Sequence, residues 1–401
     1  MAQFDTKMAT HAPKAGLGQG ITVAIAGFFP VMAIVSLAPV VPTLFRHFAD
    51  VAGAHNLVPL VVTAPGLLIA LLSPFMGIAA DTYGRRRLIL AATLLYGAIG
   101  VLPFFLAHLP AILASRLLLG AAEAAILTVT NVLIADYFST SGRRIWLTVQ
   151  AIIGPALGVT TIMASGLLTG WRWNGAFLIY LVAFPMLLAM YIFLFEPASS
   201  RQPAEPAPQA NAFPWKQAAA FAPVTLFAAV LYYVYIVQAG LAFGAVGMND
   251  PGRLGGLLGL SSIGVPVGGA IFGVISRRSH IMTVLSVMFA FLGLGMLGIA
   301  LSDSVTVMTA SCFVQQIGAG MCVASLIFWV SGLLSPEQRG RGFGVWTCAF
   351  FLGQFVSPAI AGPVETMTGS ILKVFMIAAI AAFVGALGCI LARMKASAAR
   401  I

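Results

Sequence analysis

The sequence predicts an all-α polytopic membrane protein of twelve helices in two six-helix bundles, and three observations carry that prediction. Of 401 residues, 60% are hydrophobic and only 8% charged, against roughly a quarter charged in an ordinary soluble domain. So few charges cannot cover a water-exposed surface. Apolar runs recur at the length a membrane helix needs, roughly 20 residues for a hydrocarbon core of about 30 Å. One long polar segment interrupts the interior of the chain, residues 196–216 with Pro197-Ala-Ser-Ser-Arg201-Gln-Pro-Ala-Glu205, and it leaves six apolar runs on either side.

In order, the runs cover approximately 21–44, 57–80, 88–106, 111–135, 145–168, 175–195, 218–246, 254–275, 281–301, 305–333, 343–364 and 372–392. The first is too long for a signal-peptide core and lacks a small-residue cleavage pattern, so it reads as a retained helix. It contains Pro30, Pro39 and Pro42, and the second run Pro59, Pro65 and Pro74. Membrane helices tolerate such prolines where neighbours satisfy the freed carbonyls. The eighth run repeats glycine at close intervals (Gly255, Gly259, Gly264, Gly268, Gly269, Gly273), a smooth face for close helix packing. The division predicts an N-terminal bundle of residues 1–196, a linker of 197–217 and a C-terminal bundle of 218–401, related as parallel repeats with the substrate path between them. Cys312, Cys322, Cys348 and Cys389 fall inside runs without the close pairing of a metal or redox site, so they read as packing residues. No metal and no cofactor is expected.

A formal charge of +10 raises nucleic acid as a partner, but the distribution argues otherwise. Of the 21 Lys and Arg, sixteen fall on one set of alternating loops and termini, four on the other set and one inside a run. That positive-inside asymmetry predicts that both termini and the linker are cytoplasmic, and it leaves no nucleic-acid surface.

After the second run stands Gly77-Ile-Ala-Ala-Asp81-Thr-Tyr-Gly84-Arg85-Arg86-Arg87. A small Gly77 lets a neighbouring helix approach. Asp81 can accept bonds from an exposed helix N-terminus, where the dipole favours an anion. The arginines attract acidic groups or phospholipid heads. Together these parts can latch one conformation. The segment resembles the loop signature G-x-x-x-D-R-x-G-R-R of the major facilitator superfamily, at the family's position, with Thr82 where the family usually has Arg. The second half echoes it as Gly273-Val-Ile-Ser-Arg277-Arg278, without the acid. The resemblance implies a gating role for Gly77, Asp81, Gly84, Arg85 and Arg86, with Asp136 pairing with one of Arg85 to Arg87. It also implies a membrane transporter, resident in the cell (bacterial inner) membrane and functional as a monomer among its lipids.

The fourth run contains Arg116-Leu-Leu-Leu-Gly120-Ala-Ala-Glu123, similar to the family's R-x-x-x-G signature there. Seven residues are nearly two turns, so Arg116 and Glu123 share a helix face about 10 Å apart along the axis, and Thr130 continues the stripe. Ionisable groups at that depth face a cavity or each other. Of the eleven acids only Glu123 lies well inside a run, about 18 Å from the outer end of its helix. A carboxylate there costs several kcal/mol to ionise without compensation, which makes Glu123, with Arg116, the predicted proton-coupling residue. Gly154-Pro155-Ala-Leu-Gly158 in the fifth run is part of the G-P-x-x-G pattern that the family's antiporters carry.

No G-x-x-x-x-G-K-[ST] loop and no segment that could house an ATPase occurs, so transport must draw on gradients. The five histidines lie in loops or near run ends, leaving no buried base for an intramembrane enzyme. The leading expectation is proton-coupled efflux of small organic or drug-like molecules by alternating access, as the resemblance to twelve-helix drug:proton antiporters implies. Substrate would then meet Phe29, Arg116, Glu123, Thr130, Tyr232, Tyr235, Gln238, Gln315 and Trp329. The alternative is proton-coupled uptake of small organic anions, with Arg116 the one intramembrane cation available to a carboxylate.

Overall fold

The computed structural model describes residues 15–197, 215–335 and 338–398; the expected linker therefore lies mostly outside the described residues. Twelve helices are long and apolar enough to cross a membrane. We label them α1 (Leu17–Val35), α2 (Ala54–Tyr83), α3 (Arg85–Phe104), α4 (Leu109–Tyr137), α5 (Ser141–Trp171), α6 (Gly175–Phe193), α7 (Trp215–Ala245), α8 (Pro251–Ile275), α9 (Ile281–Ala300), α10 (Val305–Leu333), α11 (Arg339–Thr368) and α12 (Ile371–Lys395). The chain is an integral, multi-pass membrane protein. We call the side carrying the α2–α3 turn and the chain between α6 and α7 the linker side, and the other the far side.

Contacts among α1 to α6 build one bundle and contacts among α7 to α12 the other. Between bundles, α2 packs on α11 and α5 on α8, while the far end of the first span meets α7. Small residues set the approach. A methyl built on Gly120 would stand 2.8 Å from the Pro65 Cα, joining α4 to α2, and one on Gly264 would stand 2.5 Å from the Phe313 carbonyl oxygen, joining α8 to α10.

The first run is broken where a continuous helix was expected. Its residues form helices Leu17–Ala26 and Phe29–Val35, a turn, and a short helix Val41–His47. Pro39 and Pro42 bring no N–H to the ladder, and past Val35 the chain takes tighter bonds, Leu37 N–H to Ile34 O (3.2 Å) and Val40 N–H to Leu37 O (2.9 Å). The carbonyls left over are taken by other helices. Ser165 on α5 donates to Ser36 O, and Tyr180 on α6 donates to Ala33 O at 3.1 Å. Pro74 does the same across the bundle interface: it offers no N–H to Ala70 O, and the Cys348 thiol of α11 reaches that oxygen at 2.9 Å.

The two ends of the bundle interface differ. On the far side the bundles touch backbone to backbone, since a methyl on Gly166 (α5) would stand 2.8 Å from the Gly255 Cα (α8). A methyl on Gly240 (α7) would stand 3.0 Å from the Ala38 carbonyl oxygen. Polar contacts close the rim, Arg46 to Asn249 O at 3.5 Å and Thr366 with His55 at 3.4 Å. Toward the linker side, Gly77 of α2, Gly154 of α5, Gly273 of α8 and Gly344 of α11 have nothing within 4 Å of where a Cβ would be. The far end of the interface is thus closed by backbone contact, and nearer its middle the bundles part around a space lined from both.

Candidate functional site

A cavity of about 390 Å³ lies where the bundles part. Helical periodicity explains its walls. From the first bundle come Phe28, Val31, Val35 and Ala38 on one stripe of the first span, and Gly154, Pro155, Gly158 and Ile162 on one face of α5. From the second come Tyr232, Tyr235, Ile236 and Ala239, spaced as a single face of α7, with Leu258, Ser262 and Val265 of α8 and Gln316 and Val323 of α10. The wall is two-sided. The first bundle presents only apolar surface, and hydrogen-bonding groups sit on the second: two phenols, the Ser262 hydroxyl and the Gln316 amide, which donates to Ser262 Oγ at 3.4 Å. None of these lining residues is charged. The Tyr235 hydroxyl is buried beside Cys312 and Gln316 of α10.

Of the residues singled out from the sequence, Tyr232 and Tyr235 line this cavity. Phe29 lies one residue from the lining Phe28, turned into the first bundle, where it stacks on Tyr96 with ring centroids 5.0 Å apart. Gln315, beside the lining Gln316, is fully buried against Gly295 of α9, with neither amide atom hydrogen-bonded. Gln238 is buried and stands outside the wall, and Trp329 lines a separate pocket inside the second bundle with Phe227, Phe289 and Cys389. Of the lining residues that sequence reasoning missed, Phe28 and Gln316 are one position from residues it named, whereas the linings of α5 and α8 were not named at all. The signal that finds them is the stripe shared with Val31 and Val35, or with Val323.

Arg116, Glu123 and Thr130 do not line the cavity either; all three are buried in the first bundle. Arg116 donates to the Tyr180 hydroxyl (2.8 Å), to Gly100 O (3.1 Å) and to Ile99 O (3.4 Å). Ile99 O also accepts the Leu102 N–H at the end of α3, the residue four on being Pro103, and a cation there faces the negative end of the α3 dipole. The guanidinium further lies 5.2 Å from the Phe177 ring centroid and 4.8 Å from that of Tyr180. Thr130 turns its hydroxyl back to Ile126 O at 2.7 Å. Glu123 is buried with its Oε1 unbonded. Its electrostatic neighbours are Arg116 on its own helix, Tyr96 on α3, Tyr180 on α6 and, from the opposing bundle, Tyr233 on α7.

At the linker edge Gly84 makes the one-residue turn between α2 and α3 with φ 90°, a backbone region that favours glycine. A Cβ there would also press to 3.1 Å on the Glu196 carboxylate. Glu196, read from the sequence as a linker residue, caps α3: its oxygens accept the N–H groups of Arg85 at 2.7 Å and Arg86 at 3.0 Å. The Arg85 side chain lies between Asp136 of α4 and Asp81, the latter at 3.3 Å. Arg86 donates to Leu194 O (2.7 Å) and Tyr191 O (2.8 Å). Gly77 stands open, and the Asp81 side chain is 67% exposed.

Comparison with known proteins agrees with this geometry. A sequence model of the Major Facilitator Superfamily matches residues 23–302. A transporter-named protein of Caenorhabditis elegans, B0361.11, is 29% identical over 135 residues, 33% of this chain and 22% of that protein. Solute carrier family 22 member 1 of Bos taurus is 33% identical over 129 residues, 31% of this chain and 22% of its own length. These matches therefore span about a fifth of the curated relatives. Among solved structures, the nucleoside transporter NupG has a TM-score of 0.75 at 13% identity, covering 93% of this chain and 98% of its own. The human organic anion transporter MFSD10 (TETRAN) has 0.67 at 17% identity, covering 93% and 99%. A bacterial homologue of the human lysosomal transporter Spinster, in an inward-facing and occupied conformation, has 0.70 at 14% identity, covering 93% and 94%. At such identities the likeness is one of fold.

Proposed function

This chain belongs to the major facilitator superfamily, and on that premise we propose that it exports small, lipophilic organic molecules that are neutral or cationic, by alternating access driven by a proton gradient. The linker and both termini lie on the cytoplasmic side of the cell membrane, so the conformation described is open to the cytoplasm. The transporter acts as a monomer.

The uncharged cavity wall is the observation that carries this reading. Apolar walls with a few hydrogen-bonding groups suit amphipathic ligands, and here the polar groups are confined to one bundle. Uptake of an organic anion, the alternative, needs a cation in the wall. Arg116 supplies none, because its guanidinium bonds Tyr180 and Gly100 O away from the cavity. Glu123 is the proton site in this proposal, because it is a membrane-buried carboxylate with an unbonded oxygen and such groups change charge as a cavity opens and closes.

Purified protein in liposomes, loaded with ethidium under an imposed pH gradient, tests the proposal. Gradient-driven movement of the dye is expected in the wild type, with Glu123→Gln losing at least about tenfold of that rate while retaining dye exchange without a gradient. Undiminished gradient-driven transport in a folded Glu123→Gln protein overturns the proton assignment. Transport of a carboxylate dye in place of ethidium overturns the export of lipophilic cations.

A further inference from the structure

The broken first span stands between two different surroundings. Its Phe28, Val31 and Val35 form a wall of the cavity, and the opposite stripe, Phe29, Ala33 and Ser36, faces the first bundle. Three side chains from three other helices hold that inner stripe by its carbonyls: Tyr96 on Phe29 O at 2.8 Å, Tyr180 on Ala33 O at 3.1 Å, and Ser165 on Ser36 O. Only one of the three also bonds an ionic group. The Tyr180 hydroxyl accepts from Arg116 Nη1 at 2.8 Å while it donates to Ala33 O.

We infer that Tyr180 is a positioning residue that transmits the charge state of Glu123 to the cavity wall, through Arg116 on one side and the Ala33 carbonyl on the other. The inference rests on the proton role of Glu123 proposed above. The physical argument has two states. With Glu123 neutral, the guanidinium is held as seen, by the α3 carbonyls and the Tyr180 hydroxyl. With Glu123 ionised, a carboxylate about 10 Å along the same helix face attracts the guanidinium strongly in a low-dielectric interior. The groups that face Glu123 are Arg116 on its own helix, and the neutral phenols Tyr96, Tyr180 and Tyr233 on α3, α6 and α7. Among the described residues Arg116 is therefore the charge it can draw. Displacing Arg116 removes the donor that fixes the Tyr180 hydroxyl, and with it the staple on the freed Ala33 carbonyl. Because Leu37 N–H is already turned to Ile34 O, what stays on that carbonyl is the span's own Ser36 hydroxyl at 3.3 Å, which does not tie the span to the first bundle, and the segment carrying Val31 and Val35 is released to move.

The test uses Tyr180→Phe, which keeps the ring against Tyr96 and under Arg116 and removes only the hydroxyl. Spin labels are placed at Ile78 and Gly340, exposed positions on the linker ends of α2 and α11, in full-length protein with its four cysteines replaced. The distance distribution is measured in acidic and alkaline buffer with no substrate. The expected result is a pH-dependent shift in the wild type that is at least about threefold smaller in both Glu123→Gln and Tyr180→Phe, as for a population shift that has lost its bias. Ser165→Ala removes another staple on the same span, at Ser36 O, with a side chain that is not among the groups facing Glu123, so it is expected to keep the wild-type pH response; a merely structural role for these staples moves both variants alike. A flat Glu123→Gln beside a fully responsive Tyr180→Phe overturns the inference and leaves the proton site standing. A fully responsive Glu123→Gln overturns the proton site itself.

Discussion

One helix, α5, serves both ends of the bundle interface and shows how differently they are built. Near its far end Gly166 lies against Gly255 so closely that any side chain would strike backbone: Pro251 O at 2.6 Å and the Gly255 Cα at 2.8 Å. Twelve residues earlier (166 minus 154), Gly154 lines the cavity and has nothing within 4 Å. The far seal is thus a contact of bare helix surfaces, with polar pairs only at its rim. The linker-side parts, Gly77 and the exposed Asp81 among them, stand apart in this conformation. A substitution at the sealed end therefore acts on the state described here, and one at the open end acts on the state opposite to it.

The largest expected effect follows from wedging the seal. Gly166→Leu places four carbons where backbone already stands, and overpacking of this kind costs about 1–3 kcal/mol, a shift of roughly 5- to 150-fold in the balance between the two states. A single cysteine introduced at Ala239, on the cavity wall beside the sealed Gly240, reports it through labelling by a membrane-impermeant maleimide added from the far side. Labelling is expected to rise by about that factor. An unchanged rate in folded protein means that the glycine contact is not what keeps the far side shut.

Asp81→Asn is expected to act more weakly and in the same direction as a lost latch. Among the described residues the carboxylate pairs with Arg85, one turn along its own chain, so this state loses little. A carboxylate docked at a helix N-terminus contributes about 0.3–1 kcal/mol, and up to about 2 when partly buried. The opposite state should fall by roughly 2- to 30-fold, read as a longer mean distance between spin labels on α2 and α11. An unaltered distance distribution sinks the latch.

Much of this architecture is legible in the sequence because lipid imposes it. Twelve apolar runs became twelve spans, with ends moved by a few residues: the fifth run, expected over 145–168, extends as a helix over Thr140–Trp171. The break in the first span was less legible. Prolines at 30, 39 and 42 announce irregularity, but which carbonyls are freed depends on Tyr180 and Ser165, far away in sequence. The cavity shows the same limit. Phe28 and Phe29, like Gln315 and Gln316, differ by about 100° of helix rotation, and in lipid no polar face marks the azimuth because all sides of the helix are apolar. Arg116 and Glu123 announce themselves as expensive charges, yet the burial of Arg116 inside one bundle is set by Tyr180 and the Gly100 carbonyl, partners on other helices.

The smallest expected effect sharpens the comparison most. Gly154→Ala adds a methyl into open space at the linker half of α5, and in a helix interior alanine is favoured over glycine by about 1 kcal/mol. In this state the variant should be at least as heat-stable as the wild type, with an ethidium affinity within about threefold, less than 1 kcal/mol. Gly158, one turn on, has Phe28 only 3.9 Å from its Cβ position, so the cavity narrows there and a methyl at 154 stays clear of it. The informative step is to enlarge the side chain. If the linker side shuts by the same bare-surface contact that shuts the far side, Gly154→Leu leaves this state intact and abolishes turnover, because the opposite state then carries the overpacking that Gly166→Leu puts into this one. Full turnover by Gly154→Leu means that the two ends close by different devices, with the charged latch at Asp81 rather than glycine packing responsible on the linker side.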